Sequence, residues 1–156
     1  MKIFDCTTFY SEHLMMDIRF NILNEFVDKF IVCESTISHS GKKKSLNFDI
    51  NNYPKFKDKI NYIVIDEEPL NIIGDKNGLA KPYEQRSDSL KRIELSYDYM
   101  IKALSDVNDD DLIILSDNDE IPNLGSRQFK NSNKDIFIFK QLFFYYKFNL
   151  FYDLVP

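Results

Sequence analysis

The sequence predicts an α/β fold with a mainly parallel sheet and helices on both faces, and three observations predict it. Short β-branched runs alternate with segments of helical spacing, the first thirty-five residues read strand, helix, strand, and a turn rich in carboxylates follows a later apolar run of strand length. A strand–helix–strand unit joins parallel neighbours, and its crossover is right-handed.

The elements follow in order. Lys2 to Thr8 (KIFDCTT) reads as a first strand, and Ser11 stands where a helix N-cap belongs. From Leu14, the positions Met15, Ile18, Ile22 and Phe26 keep three- and four-residue spacing and predict one buried stripe. Lys29 to Ser35 (KFIVCES) is β-branched and too short for a helix, and after a polar connection Lys59 to Asp66 (KINYIVID) reads as a third strand. Glu67 to Lys81 contains Pro69, Gly74 and Gly78 and reads as a long loop, a length that compact domains reserve for binding or covering something. Pro82 suits a first helical turn, and Leu90, Ile93, Tyr97, Ile101 and Leu104 predict the inward stripe of the helix it opens. Asp111 to Leu115 is the fourth strand, and Asp135 to Tyr152 is dense in strand formers, enough for one long strand or two consecutive ones.

The 156 residues fit a single domain, 1–156. A net charge of −5 argues against a nucleic-acid binder, which needs a basic face for phosphates. No apolar stretch is long enough to span a bilayer, and MKIFDCTTFY lacks a signal peptide's apolar centre, so a cytoplasmic chain is expected. Cys6 and Cys33 fall within strands and read as small buried thiols. His13 and His39 have no partner at ligand spacing and read as exposed polar residues.

The chemistry concentrates in ILSDNDEIP, residues 113 to 121. Carboxylates this close repel one another, and protonation, solvent or a bound cation relieves the repulsion. In a parallel sheet, ligands bind beyond the carboxyl ends of the strands, where Asp117 and Asp119 fall together with Glu34 and Asp66. Hard oxygen donors without sulfur or paired histidine suit magnesium or manganese, which hold one or two protein carboxylates while phosphate and water complete the shell. Arg86, four residues before Leu90, extends the expected inward stripe to the same edge and suits a diphosphate. Each residue also has a plainer reading: a solvated turn for Asp117 and Asp119, a turn cap for Glu34, a surface ion-pair partner for Arg86, and a solvated loop for Lys42 to Lys44.

"IFDCTTFYSEHLMMDIRFNILNEFVDKFIVCESTISHSGKKKSLNF", followed by "KINYIVID", "YEQR" and "DDDLIILSDNDEIP", resembles glycosyltransferase family 17, the β-1,4-mannosyl-glycoprotein β-1,4-N-acetylglucosaminyltransferases. The similarity runs in order from about Lys2 to Pro122 and is most specific in "VDKFIVCES" with "SHSGK" and in "SDNDEIP". The resemblance implies a Rossmann-like GT-A fold, incomplete at its carboxyl-terminal side. It implies a UDP-sugar donor, N-acetylglucosamine being the sugar, transfer with inversion to a glycan acceptor, and Mn2+ or Mg2+ held by Asp117 and Asp119. It assigns Glu34, Ser35, His39, Ser40 and Gly41 to the donor pocket along with Asp117, makes Arg86 the diphosphate contact beside Glu84, and gives Asp5 and Arg19 supporting roles.

The sequence departs from the family pattern in having Asn118 where an apolar residue is expected and Tyr83 in place of a tryptophan. Similar family members continue well past the aromatic segment, so the resemblance puts much of the acceptor site, a further metal ligand and the catalytic base beyond Pro156. Glu120 and Asp153 are the carboxylates available as a base within the chain. FFYYKFNLFY, Phe143 to Tyr152, suggests a homodimer through the carboxyl-terminal strands. Two other functions compete: a shortened module that binds a nucleotide sugar without transferring it, and a phosphatase with an Asp-x-Asp nucleophile. The phosphatase ranks last, because its aspartates usually follow the first strand of the domain.

Overall fold

The computed structural model describes residues 1–74, 80–125, 135–144 and 151–152, and the chain falls into two compact units, Met1–Asp119 and Glu120–Pro156. The first unit holds a four-stranded sheet of β1 (Ile3–Thr8), β2 (Lys29–Ser35), β3 (Ile60–Ile65) and β4 (Leu112–Leu115), in the order β3-β2-β1-β4. Every pairing in it is parallel, with Asp5 opposite Phe30 and Ile114, and Cys6 opposite Ile31 and Leu115. This is an α/β, Rossmann-like arrangement. Helix α1 (His13–Leu23) links β1 to β2, and α2 (Pro82–Lys102) precedes β4. The chain steps outward from β1 to β3 and then crosses to β4 on the other side of β1, so the winding reverses between β1 and β4.

Because register partners in parallel strands share a face, the two sides of the sheet can be told apart. Cys6, Ile31, Cys33 and Ile65 lie on the α2 side and form one core cluster with Met100, against which Leu95, Tyr99, Ala103 and Leu104 pack. On the other side, Phe30 meets Phe20 of α1 at 4.7 Å between ring centroids, and Phe20 also touches Tyr53 and Phe56. Phe48 stacks on Tyr53 and tilts against Tyr62, so the chain between β2 and β3, with its short 3-10 turns Ile50–Asn52 and Lys57–Lys59, closes this face with aromatic rings. Lys59 Nζ donates to the carbonyls of Asn24, the residue that caps α1, and of Val27 in the turn that follows.

Both helices bury stripes other than those the spacing predicts. In α1 the inward residues are Met16, Arg19, Phe20 and Leu23, while Leu14, Ile18 and Ile22 face solvent. Apolar residues occupy nearly the whole circumference of α1, so periodicity alone cannot select a face. The pairing of Arg19 with Asp5 and the aromatic cluster around Phe20 select it. The residue before the first helical turn is Glu12, not Ser11, and its carboxylate reaches back to the backbone N–H groups of Tyr10 and Ser11.

In α2 the buried residues are Asp88, Ser96 and Met100, whereas Leu90, Tyr97 and Ile101 are exposed. The inward face is polar at Asp88, which accepts the N–H groups of Ile73 and Gly74, and at Arg92 and Ser96, which line a cavity, so a search for apolar spacing finds the wrong stripe. Glu84 accepts the N–H of Lys81 at 2.7 Å and so supports the helix start.

The second unit contains a small antiparallel pair, β5 (Phe143–Phe144) with β6 (Phe151–Tyr152). The aromatic segment therefore gives two consecutive strands, the second of the two expected arrangements, and residues 145–150 lie outside the described residues.

Candidate functional site

A cavity of about 800 Å3 opens at the carboxyl ends of the strands, within the size range of small-molecule sites. Thr8, Phe9 and Tyr10 line it after β1, Ser35 and residues 37–40 after β2, Glu67 and Pro69 after β3, and Asp117 to Asp119 after β4. Arg92, Leu95 and Ser96 of α2 complete the wall. The loops of β1 and β4 flank the point where the strand order reverses, which is where open α/β sheets bind their ligands.

The two aspartates of the acidic turn both line this cavity. The turn that carries them is held from below by Arg19, which is wholly buried. Its Nε and Nη2 clasp both oxygens of Asp5 at 2.8 and 2.7 Å, Nη2 also donates to Ser116 Oγ at 2.8 Å, and Nη1 donates to the carbonyls of Asp117 (2.9 Å) and Asn118 (3.3 Å). Asn118 also lines the cavity and donates its amide to Glu12 at 3.0 Å, so a polar residue serves at a position where an apolar one was expected. Burial disfavours the charge on Glu12, but the N–H groups of Ser11 and Tyr10 and the Asn118 amide outweigh that and keep its carboxyl below the ordinary range.

No group of three or more His, Cys, Asp or Glu side chains able to hold a metal occurs among the described residues. The residues that could hold a metal here are Asp117 and Asp119, two carboxylates whose oxygen chemistry would fit magnesium or manganese with phosphate oxygens and water in the remaining positions. It does not suit zinc, which in structural sites takes four nitrogen or sulfur donors.

Opposite the acidic turn runs a tight hairpin from Ile37 to Lys43. Ser38 Oγ accepts the N–H of Lys42, the N–H of Gly41 reaches the Ser38 carbonyl, and Gly41 adopts φ +82°, a conformation that favours glycine. Arg92 fastens this hairpin to α2 by donating to the His39 carbonyl at 3.0 Å, and grips both oxygens of Glu68 at 2.9 and 3.2 Å. Lys42, Lys43 and Lys44 all line the cavity, where the sequence suggested only a solvated loop. Among the described residues the ammonium groups of Lys42 and Lys43 make no hydrogen bond or ion pair, whereas Lys44 pairs with Glu34 and lies 5.1 Å from the centre of the Tyr10 ring.

His39 lines the same cavity between charges of both signs. Desolvation lowers its pKa, Asp117 opposes this, and Arg92 and Arg86 add to it, which leaves the imidazole neutral near pH 7.

The remaining candidate residues are placed as follows. Ser35 lines the cavity, and its Oγ accepts the N–H of Ile37. Glu34 is buried beneath the wall, where its carboxylate receives Lys44 Nζ, the N–H groups of Asn47 (2.8 Å) and Phe48 (3.0 Å), and the Tyr62 hydroxyl (2.8 Å). It anchors the segment 44–48 and does not line the cavity. Arg86 is exposed and off the cavity wall; further along α2, Arg92 occupies the inward position that Arg86 was expected to take. Asp66 accepts a hydrogen bond from the Thr36 hydroxyl at 2.7 Å. Glu120 belongs to the second unit, and Asp153 lies outside the described residues. Sequence reasoning missed Lys42, Lys43, Arg92, Tyr10 and Glu12. The signals available for them were the lysine run itself and the adjacency of Tyr10 and Glu12 to the end of β1.

A parallel α/β fold with a cavity lined by carboxylates and cations at its switch point places its candidate site where open α/β sheets bind small molecules. The profile of glycosyltransferase family 17 matches residues 1–150, and the chain belongs to that family. It is 27% identical over 125 residues to a beta-1,4-mannosyl-glycoprotein 4-beta-N-acetylglucosaminyltransferase of Rattus norvegicus, covering 78% of this chain and 22% of that protein. Identity to the protein of the same name from Homo sapiens is 30% over 112 residues, covering 69% of this chain and 19% of the human protein. The chain thus spans about a fifth of the length of these relatives. No solved structure matches it.

Proposed function

We propose that this chain binds the donor in a metal-dependent, inverting glycosyl transfer that moves N-acetylglucosamine from a UDP-sugar to a glycan acceptor. The observation that carries the reading is the cavity at the strand-order reversal, with Asp117 and Asp119 on one wall and Lys42, Lys43 and His39 on the other. Membership of family 17 and the activity named for the rat and human relatives support the sugar and the acceptor class.

In this reading Asp117 and Asp119 hold Mn2+ or Mg2+, which when bound neutralises charge on the departing diphosphate. The ammonium groups of Lys42 and Lys43 meet the phosphate oxygens turned away from the acidic wall. Arg92, already committed to Glu68 and the His39 carbonyl, keeps the lysine hairpin in place. The neutral His39 offers one N–H and one lone pair to the nucleotide or sugar without adding charge.

Calorimetric titration with UDP, with manganese and then with a chelator, tests the reading. Manganese should tighten binding, and Asp119→Ala should abolish the enhancement. Equal affinity with and without the metal in the unaltered chain refutes the site. Donor hydrolysis, or transfer to a panel of glycan acceptors, separates a transferase from a module that only binds.

A further inference from the structure

We infer that Arg19 is a positioning residue: its guanidinium sets the backbone of residues 116–118 and thereby the spacing at which Asp117 and Asp119 present their carboxylates to a divalent cation. The inference rests on the proposed metal-assisted donor site.

The geometry supports this role over that of a simple core ion pair. Arg19 and Asp5 have side chains 0% and 1% exposed, and removing two charges from water costs energy that an apolar pair of similar size would not incur. What the guanidinium provides in return is direction, because its planar fork donates along fixed vectors. One edge is fixed by both oxygens of Asp5 on β1, so the orientation of the fork is inherited from the centre of the sheet. Further donors reach three consecutive residues, at Ser116 Oγ and the carbonyls of Asp117 and Asn118.

A second tie comes from the start of the same helix, where Glu12 receives the Asn118 amide. The acidic turn would otherwise be a short polar loop following the edge strand β4. With these ties it is referenced to β1 and α1, the same elements whose loop carries Tyr10 into the cavity.

The predicted signature is a loss confined to the metal. Affinity for UDP is measured calorimetrically in manganese and in chelator, and the ratio of the two gives the metal's enhancement. Arg19→Lys keeps a positive charge for Asp5 but lacks the fork, so it should cut the enhancement about tenfold, as lost outer-shell partners do in metal sites. Its UDP affinity in chelator should stay within about twofold of the unaltered chain's, because a lost orienting bond to the metal turn leaves the other wall intact. A purely structural role would lower the melting temperature and leave the enhancement unchanged, so an unchanged enhancement in folded Arg19→Lys overturns the inference.

If Arg19→Lys does not fold, Ser116→Ala decides. It removes one tie without exposing the buried charge, since Arg19 Nη2 keeps its bond to Asp5, and the enhancement should fall about threefold. No change in Ser116→Ala counts against the inference. Absence of any enhancement in the unaltered chain overturns the metal-site reading itself and takes this inference with it.

Discussion

Replacing Glu34 by glutamine removes a charge and little else, and the structure allows its cost to be worked out. Lys44 Nζ and the Asn47 N–H meet Oε1, while the Phe48 N–H and the Tyr62 hydroxyl meet Oε2. A glutamine oxygen can keep the first two, and its amide nitrogen can donate to the Tyr62 oxygen, but the Phe48 N–H is then left facing another donor. An orphaned buried N–H costs about 2 kcal/mol, and weakening the charge-assisted bonds adds about 1 kcal/mol, so the total is about 3 kcal/mol. At this chain length that corresponds to a melting temperature lower by about 6–12 °C.

The effect has a definite pH dependence. Burial raises the Glu34 pKa, but the Lys44 ammonium, the two backbone N–H groups and the Tyr62 hydroxyl outweigh it and hold the carboxyl below its ordinary range. A folded-state pKa below the unfolded value gives stability that is complete above the ordinary glutamate pKa of about 4.3 and disappears as pH falls through the folded value. Thermal unfolding followed by circular dichroism should therefore show the full gap between Glu34→Gln and the unaltered chain at pH 7, narrowing steadily below about pH 4. A gap under about 2 °C at pH 7, or one as large at pH 3 as at pH 7, refutes the reasoning. If Glu34 instead contacted the nucleotide, the variant would keep its melting temperature and lose UDP affinity.

Other outcomes are expected. Gly41→Ala forces a left-handed backbone on alanine and puts a Cβ 2.8 Å from Arg92 Nη2, so it should cost about 1–2 kcal/mol and loosen the lysine hairpin, which chemical denaturation and UDP titration would detect together. Alanine at both Lys42 and Lys43 should weaken UDP binding and flatten its dependence on ionic strength; an unchanged salt dependence would remove these lysines from the diphosphate site. Burial pushes the thiols of Cys6 and Cys33 up to about 12, so neither should react with a disulfide reagent at pH 8 until denaturant is added, and rapid native labelling would contradict the burial of either. In the second unit Ile136, Ile138 and Leu142 are exposed ahead of β5 in the chain, and a dimer is expected by light scattering at micromolar concentration; a monomer there rules out association through the carboxyl-terminal strands.

The sequence by itself determined the strands and their order of appearance, because a β-branched run such as KFIVCES is too short and too stiff to be anything else. It also determined that Asp117 and Asp119 would sit at the carboxyl edge, since a turn that follows a parallel strand has no other place to go. Tertiary structure alone decided which face each helix buries and which cations reach the cavity. Helical spacing records where apolar residues recur, but α1 is apolar nearly all round, and the inward face of α2 is polar where it lines the site. Spacing therefore points to Arg86 where Arg92 lines the cavity, and the lysine run becomes visible as a cavity wall only once Gly41 and Arg92 have folded it over. The pairing of Asp5 with Arg19, and their hold on residues 116–118, joins parts of the chain about a hundred positions apart, and no local pattern encodes a hydrogen bond across that distance.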